Sequence, residues 1–318
     1  MKTQCSVTAP AKINLSLDIT GIREDGYHLL ETVMQTVDLS DLIRICLTTE
    51  DFLPESQFPE ILLTGNSRCM PLDQSNTAYK AAKLYAQAAQ DVLASRKTYL
   101  HSIQIDITKN IPAEAGLAGG SADAAGTLCG LNFLCGGVIK ESKLALIALR
   151  TGADVPFCMT GGTVLCRGIG EIMTPLADIG SHEVVIYKPG FGISTGPAFK
   201  AIDDMKDPKR SDTPLIIRAL SQGDIRKAMD AGRNVFENYV FSQHPELAKI
   251  KDFIKGMEGA YGAMMSGSGT ALYGIFSDSD SADNAKQMLD KQYGAPGCFI
   301  ARAKTIAGGP EAVVSGEK

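Results

Sequence analysis

The sequence predicts an α+β protein in two domains. Three observations carry this: strand-like segments crowd the first fifty residues, helices of small apolar residues fill the middle, and the second half mixes strands and helices without strict βαβα alternation. At 318 residues the chain is long enough for two compact domains. The first is expected over residues 1–160 and the second over 161–306, with a Gly-, Glu- and Pro-rich tail at 307–318 expected to be frayed.

Taken in order, residues 6–9 and 13–19 read as strands, 21–27 as a turn, and 42–47 as the end of a β-rich return. The acidic, proline-bearing stretch 49–60 reads as a surface loop before a short strand at 61–64. Asn76 stands where it can cap a helix whose apolar stripe is Ala78, Ala81, Ala82, Tyr85, Ala89 and Val92. Ile103, Ile105 and Ile107 alternate with polar residues, the period of a half-buried strand. A glycine-rich loop then leads into a helix over 121–134, and a shorter helix over 141–150 ends at Gly152, a C-cap glycine by position. Beyond it, strands are expected at 163–167, 183–188, 261–265, 271–276 and 298–304. Helices are expected at 214–221, 224–239, 245–257 and 280–293.

Composition narrows the function. The formal net charge is -5, from 31 Lys+Arg against 36 Asp+Glu, so no overall positive field draws the chain to nucleic acid or an anionic membrane. Any phosphate must be held locally. The eight cysteines form no C-x-x-C pair and sit mostly among small or apolar residues, which suits reduced thiols and argues against structural zinc. No signal peptide and no membrane-spanning run is visible, so a cytoplasmic protein is expected. His101, His182 and His244 belong to no motif.

Three segments carry chemistry. Pro112-Ala113-Glu114-Ala115-Gly116-Leu117-Ala118-Gly119-Gly120-Ser121 lies between a strand and a helix, where small residues bring backbone N–H groups and a helix N-terminus toward a polyphosphate. It is neither a P-loop nor a dinucleotide fingerprint, and tight helix–sheet packing would account for its glycines equally well. Lys12 and Asn14 stand two positions apart in an apolar strand, on one face, as ligand-facing groups or as surface polar residues. Met264-Met265-Ser266-Gly267-Ser268-Gly269-Thr270 is a second small-residue loop, which alone reads as a hairpin turn.

In this order and at these separations the three segments resemble the GHMP kinases, the superfamily of galactokinase, homoserine kinase, mevalonate kinase and phosphomevalonate kinase. Asp25-Gly26-Tyr27-His28, Gly152-Ala153-Asp154-Val155-Pro156-Phe157, Gly168-Ile169-Gly170-Glu171 and Lys188-Pro189-Gly190 with Ser194, Thr195 and Phe199 narrow the likeness. They point to the branch whose acceptor is 4-diphosphocytidyl-2-C-methyl-D-erythritol (CDP-methylerythritol). The resemblance implies an N-terminal domain like domain 2 of ribosomal protein S5, a ferredoxin-like C-terminal domain, and catalysis between them.

It also implies roles. Asp154 is the expected base, although a turn or capping aspartate would look the same in sequence, and Lys12 is its expected cationic partner. Residues 112–121 are expected to hold ATP, with the Ser121 hydroxyl near Mg2+ or the β-phosphate. Lys109, Asn110 and Asn76 are candidates for the adenine or ribose, Lys109 and Asn110 being equally well explained by strand-end solvation. Magnesium is expected on ATP, with no dedicated metal residue. By the same resemblance Tyr27 and Phe199 sandwich the cytosine, and His28 meets the base edge. Asn14 is expected on the methylerythritol hydroxyls, Thr195 on the cytidine diphosphate side, and Gly267 and Gly269 at the wall of the substrate cleft. Ala118 and Ala122 depart from the usual glycine and serine, and Ala118 is expected to keep a helix-start geometry. A monomer or weak homodimer is expected.

Overall fold

The computed structural model describes residues 1–52, 58–193, 195–205 and 208–314, and of Thr195 only the backbone. Part of the loop expected at 49–60, Ser194, and the last four residues of the tail lie outside the described residues.

The chain opens with a long hairpin, β1 (Lys2–Ile22) and β2 (His28–Glu50), followed by β3 (Glu60–Gly65), α1 (Thr77–Ser95), β4 (Tyr99–Thr108), α2 (Gly119–Leu134), α3 (Glu141–Thr151) and α4 (Val155–Thr160). Next come β5 (Thr163–Gly168), β6 (Ile172–Pro175), β7 (Glu183–Lys188), α5 (Thr195–Asp203), α6 (Thr213–Ser221), α7 (Ile225–Ala231), α8 (Phe236–Gln243) and α9 (Pro245–Lys255). The last elements are β8 (Ala260–Met265), β9 (Leu272–Phe276), α10 (Ser279–Tyr293), β10 (Phe299–Lys304) and β11 (Glu311–Val314).

One sheet runs β11-β1-β2-β4-β3, with β5 paired to β2 and β6 to β5, and the other runs β10-β7-β9-β8. The long hairpin is not straight. Its register shifts between Pro10 and Ala11, between Asn14 and Ser16, and between Ile19 and Gly21. Over the same stretch β2 changes its outer partner, pairing β5 through residues 30–35 and β4 through residues 42–50. Bulges of this kind bend a strand and re-aim its side chains, and the bend carries Lys12 and Asn14.

The helix predicted after Asn76 starts as expected: the Asn76 side chain accepts from Ala78 N, and Ala78, Ala81, Ala82, Tyr85 and Ala89 are buried. On α2, Ala124, Ala125, Leu128 and Leu131 are buried as predicted. Period-two alternation sorts the second sheet: Val184, Ile186, Tyr273 and Ile275 join the first core, while Val185, Tyr187, Leu272 and Phe276 join a core that includes residues of α9 and α10. The second sheet is therefore buried on both faces.

Several expectations change. Strands β5 and β6 complete the first sheet, so residues 163–175 belong with the N-terminal domain and the expected boundary at 160 falls too early. The tail is not frayed over its described part, because β11 pairs with β1 over residues 5–8. The approach to β11 is threaded tightly: a Cβ on Gly161 would lie 2.2 Å from the Gly308 carbonyl carbon, and Gly161 has φ +68°. The helix expected over 224–239 is two helices, α7 and α8, broken where Leu17 N takes Arg233 O and Val235 N takes Leu17 O. Gly152 follows α3 with φ −178°, so its glycine serves no left-handed cap. β6, α4, α5 and β11 had no clear periodic signal, being short or rich in polar and turn residues.

Candidate active site

A cleft of about 850 Å3 opens between the two sheets, lined by Lys12, Asn14, Asn76, Lys109, residues 111–121, Asp123, Asp154, Phe199, Phe236 and residues 267–269 among others. Its centre is the bend in β1. Lys12 is 3% exposed, and its Nζ donates to Asn14 Oδ1 at 2.6 Å and to the Gly116 carbonyl at 2.8 Å. Burial pushes this ammonium below the ordinary lysine range, against the pull of the Asp154 carboxylate. The two groups attract without touching: no ion pair within 4.0 Å joins them, so the close pair expected from sequence is a longer-range one.

Asp154 precedes α4 and is half-buried at the cleft wall, but its side chain caps no N–H of that helix. The capping alternative is thereby removed. Behind Lys12, burial pushes the thiols of Cys158 and Cys166 up, which keeps them neutral beside the site.

Asn14 is a junction. Its Oδ1 accepts from Lys12 Nζ and from Gly267 N at 2.9 Å, with Ser266 Oγ beside it at 3.3 Å, and its Nδ2 donates to Thr32 Oγ1 at 2.8 Å. With donors converging on one side, the amide orientation is forced. The buried Tyr273 hydroxyl donates to the Asn14 carbonyl at 2.7 Å. Asn14 lines the cleft, and within the protein its side-chain oxygen is held by Lys12 and Gly267.

The phosphate loop and the C-terminal loop meet backbone to backbone. Ser266 Oγ donates to the Gly116 carbonyl at 2.9 Å, and Ala271 N donates to the Ala115 carbonyl at 3.1 Å. A Cβ on Gly116, where φ is +72°, would lie 2.0 Å from Ser266 O, and one on Gly267 would lie 2.9 Å from the Gly116 Cα. Only glycines permit this approach. Gly267 and Gly269 line the cleft as expected, and Gly267 does so by bracing the phosphate loop. Asn234, freed by the break between α7 and α8, donates to Met265 O at 2.7 Å and to Gly267 O at 2.8 Å.

Ala118 is the N-cap of α2 with φ 60° and ψ 29°, a left-handed conformation rather than the helix-start geometry expected of it. That geometry explains a glycine preference at this position and costs alanine roughly 1–2 kcal/mol. Beyond it Gly119, Gly120 and Ser121 form the first turn of α2 at the cleft.

Of the other nucleotide-side candidates, Asn76 lines the cleft but spends its oxygen on capping and donates from Nδ2 to Pro71 O. Lys109 is clamped between the buried carboxylates of Asp41 and Asp123, at 2.6 Å from the latter. Burial works against its charge, but the two carboxylates outweigh it and hold the ammonium up. Strand-end solvation therefore does not describe Lys109. Asn110 is turned away, exposed, with Nδ2 on Ser40 O, and is not at the cleft.

At the other end, Phe199 lines the cleft, and the His28 ring packs against it at a tilt with centroids 4.5 Å apart. Tyr27 is 59% exposed, carries Arg23 over its ring at 5.5 Å, and is not among the cleft-lining residues, so the expected sandwich around a base is not assembled here. The Thr195 side chain lies outside the described residues. Sequence reasoning missed Thr32, Ser266, Tyr273, Asn234, Asp41 and Asp203. Only Ser266 had a signal, standing inside the C-terminal loop motif.

Family models agree with this architecture: the GHMP kinases N terminal domain matches residues 76–162 and the GHMP kinases C terminal domain residues 216–295. A protein of Clostridium tetani named 4-diphosphocytidyl-2-C-methyl-D-erythritol kinase is 40% identical over 287 residues, 90% of this chain and 96% of that one. A namesake from Caldicellulosiruptor saccharolyticus is 41% identical over 281 residues, 88% of this chain and 91% of that one. Among solved structures, a 4-(cytidine 5'-diphospho)-2C-methyl-D-erythritol kinase is similar with a TM-score of 0.69 at 31% identity, over 97% of this chain and 100% of that one. Homoserine kinase from Cytophaga hutchinsonii shares the fold, with a TM-score of 0.70 at 18% identity over 98% of each chain. On cleft, loops and likeness together, the chain belongs to the GHMP kinases, in the 4-diphosphocytidyl-2-C-methyl-D-erythritol kinase family.

Proposed function

We infer that the protein transfers the γ-phosphoryl group of ATP to the 2-hydroxyl of 4-diphosphocytidyl-2-C-methyl-D-erythritol, a step in the non-mevalonate route to isoprenoid precursors. The observation that carries the chemistry is that one cleft gathers the Lys12 ammonium, the Asp154 carboxylate and the N-terminus of α2. The substrate hydroxyl oxygen forms a bond to the γ-phosphorus, the bond to the β–γ bridging oxygen breaks, and ADP leaves. Asp154 takes the hydroxyl proton, orienting the oxygen as it attacks. Lys12, fixed by Asn14 and Gly116 O, stabilises charge on the transferring group.

Residues 116–121 offer backbone N–H groups and the positive end of a helix to the phosphates. Magnesium takes oxygen ligands and keeps much of its water. Among the described residues no group of three His, Cys, Asp or Glu holds a metal alone. The Ser121 hydroxyl at the cleft fits an ion carried on ATP, whose chemistry is to neutralise phosphate charge. Tyr27 and Phe199 are the aromatic faces for cytosine, with His28 at the base edge, and closing the slot requires Tyr27 to move to the cleft. No helix among the described residues is long and apolar enough to cross a membrane. We place the reaction in the cytoplasm, where the eight free cysteines remain thiols.

An ADP-release assay offering the cytidyl substrate, homoserine and mevalonate separately tests this. Turnover is expected with the first alone, and turnover confined to either of the others would overturn it.

A further inference from the structure

On α5, Phe199 and Asp203 stand four residues apart, so one face of the helix presents both. Both meet the ring of His28. Phe199 packs against it in a tilted arrangement with an angle of 36° between planes, and Asp203 Oδ1 stands 2.8 Å from Nε2. Phe199 is itself held edge-on by Phe236 of α8, 4.9 Å away, so the ring pair is anchored to the cleft wall. An ionised carboxylate only accepts hydrogen bonds, so a neutral imidazole bonded to it carries its hydrogen on Nε2. Nδ1 is then a bare acceptor, and no described residue engages it.

We propose that Asp203 is a positioning residue that makes His28 a hydrogen-bond acceptor and thereby selects a substrate carrying cytosine over one carrying uracil. The proposal rests on the reading of His28 as the residue at the base edge. Cytosine carries an amino donor at C4, and uracil carries a carbonyl oxygen there. An acceptor nitrogen pairs with the first and is left facing a second acceptor with the other, a mismatch of the kind that polar sites reject strongly. Without the carboxylate the ring is free to place its hydrogen on either nitrogen, and either base finds a partner.

The test is kcat and KM for the cytidine diphosphate substrate and its uridine counterpart in wild type, Asp203→Ala and His28→Ala. Wild type is expected to favour cytidine by roughly 100-fold in kcat/KM, and Asp203→Ala to lower that ratio about tenfold. The loss should appear in KM rather than in kcat. Nitrogen-15 spectra of His28 should show hydrogen on Nε2 in wild type and mixed tautomers in Asp203→Ala, a change that a purely structural brace would not produce. An Asp203→Ala enzyme that loses the same factor on both substrates overturns the assignment. If His28→Ala erases the base preference while Asp203→Ala keeps it, the assignment falls and the reading of His28 stands. A wild type indifferent to the base removes the His28 reading, and Asp203 with it.

Discussion

The two ends of the cleft are built differently. At the phosphate end, Lys12, Asn14 and Ser266 are nearly or wholly buried, and two glycine loops touch through their backbones. At the α5 end, Tyr27 is largely exposed, and a histidine–aspartate contact and a tilted ring pair join the helix to β2. The chemical end is preorganised by neighbours that leave no room for motion, as electrostatic catalysis requires. The α5 end buries Ala198 and Ile202 in the second core but leaves the Tyr27 ring in solvent, so adjustment to a ligand falls to that side chain.

The contrast is sharpest where charge matters. Asp154→Asn is expected to lower kcat by about 10²–10⁴ with KM for ATP little changed, measured by steady-state kinetics. Lys12→Met should be comparably damaging to turnover yet not to the fold. The buried ammonium has a lowered pKa, so it costs stability wherever it is charged, and that cost fades as pH rises from the lowered value toward 10.5. The variant should therefore melt no lower than wild type at neutral pH. In wild type, kcat/KM should fall on the alkaline side below pH 10.5, as Lys12 loses its proton.

Next in size, Gly116→Ala drives a Cβ into the backbone of Ser266 at φ +72°, and both loops must part. A loss of about 3 kcal/mol in denaturant unfolding is expected, together with loss of activity. At the α5 end, Phe199→Ala should raise KM for the cytidyl substrate by an amount corresponding to about 1–3 kcal/mol of base stacking, while kcat holds. An equal loss in kcat would break the division between the two ends. The smallest effect is a gain: Ala118→Gly relieves a left-handed alanine and should stabilise by about 1 kcal/mol, read as a rise in Tm.

The legible parts were those with local causes. The Asn76 cap, the alternating strand at Ile103–Ile105–Ile107 and the helix after the phosphate loop each follow from a few neighbouring residues. Lys12, Asp154 and residues 112–121 were visible through motif and spacing, and the fold brings all of them to one cleft. What stayed hidden depends on distant partners. The bracing role of Asn14 was invisible because nothing near it in sequence announces Gly267 or Ser266, some 250 positions on. Lys109 looked free because Asp41 lies on another strand. The break at residues 232–235 is set by pairing with Leu17, which helical periodicity cannot anticipate.

The pairing of β11 with β1 has a consequence for how the chain is made. β1 is synthesised some three hundred residues ahead of β11 and acquires this outer neighbour only when residues 311–314 have emerged. Until then the edge at residues 5–8 offers unpaired N–H and C=O groups, a template for another chain. Vulnerability to misassembly thus falls within synthesis itself, and β11 acts as the clasp that ends it.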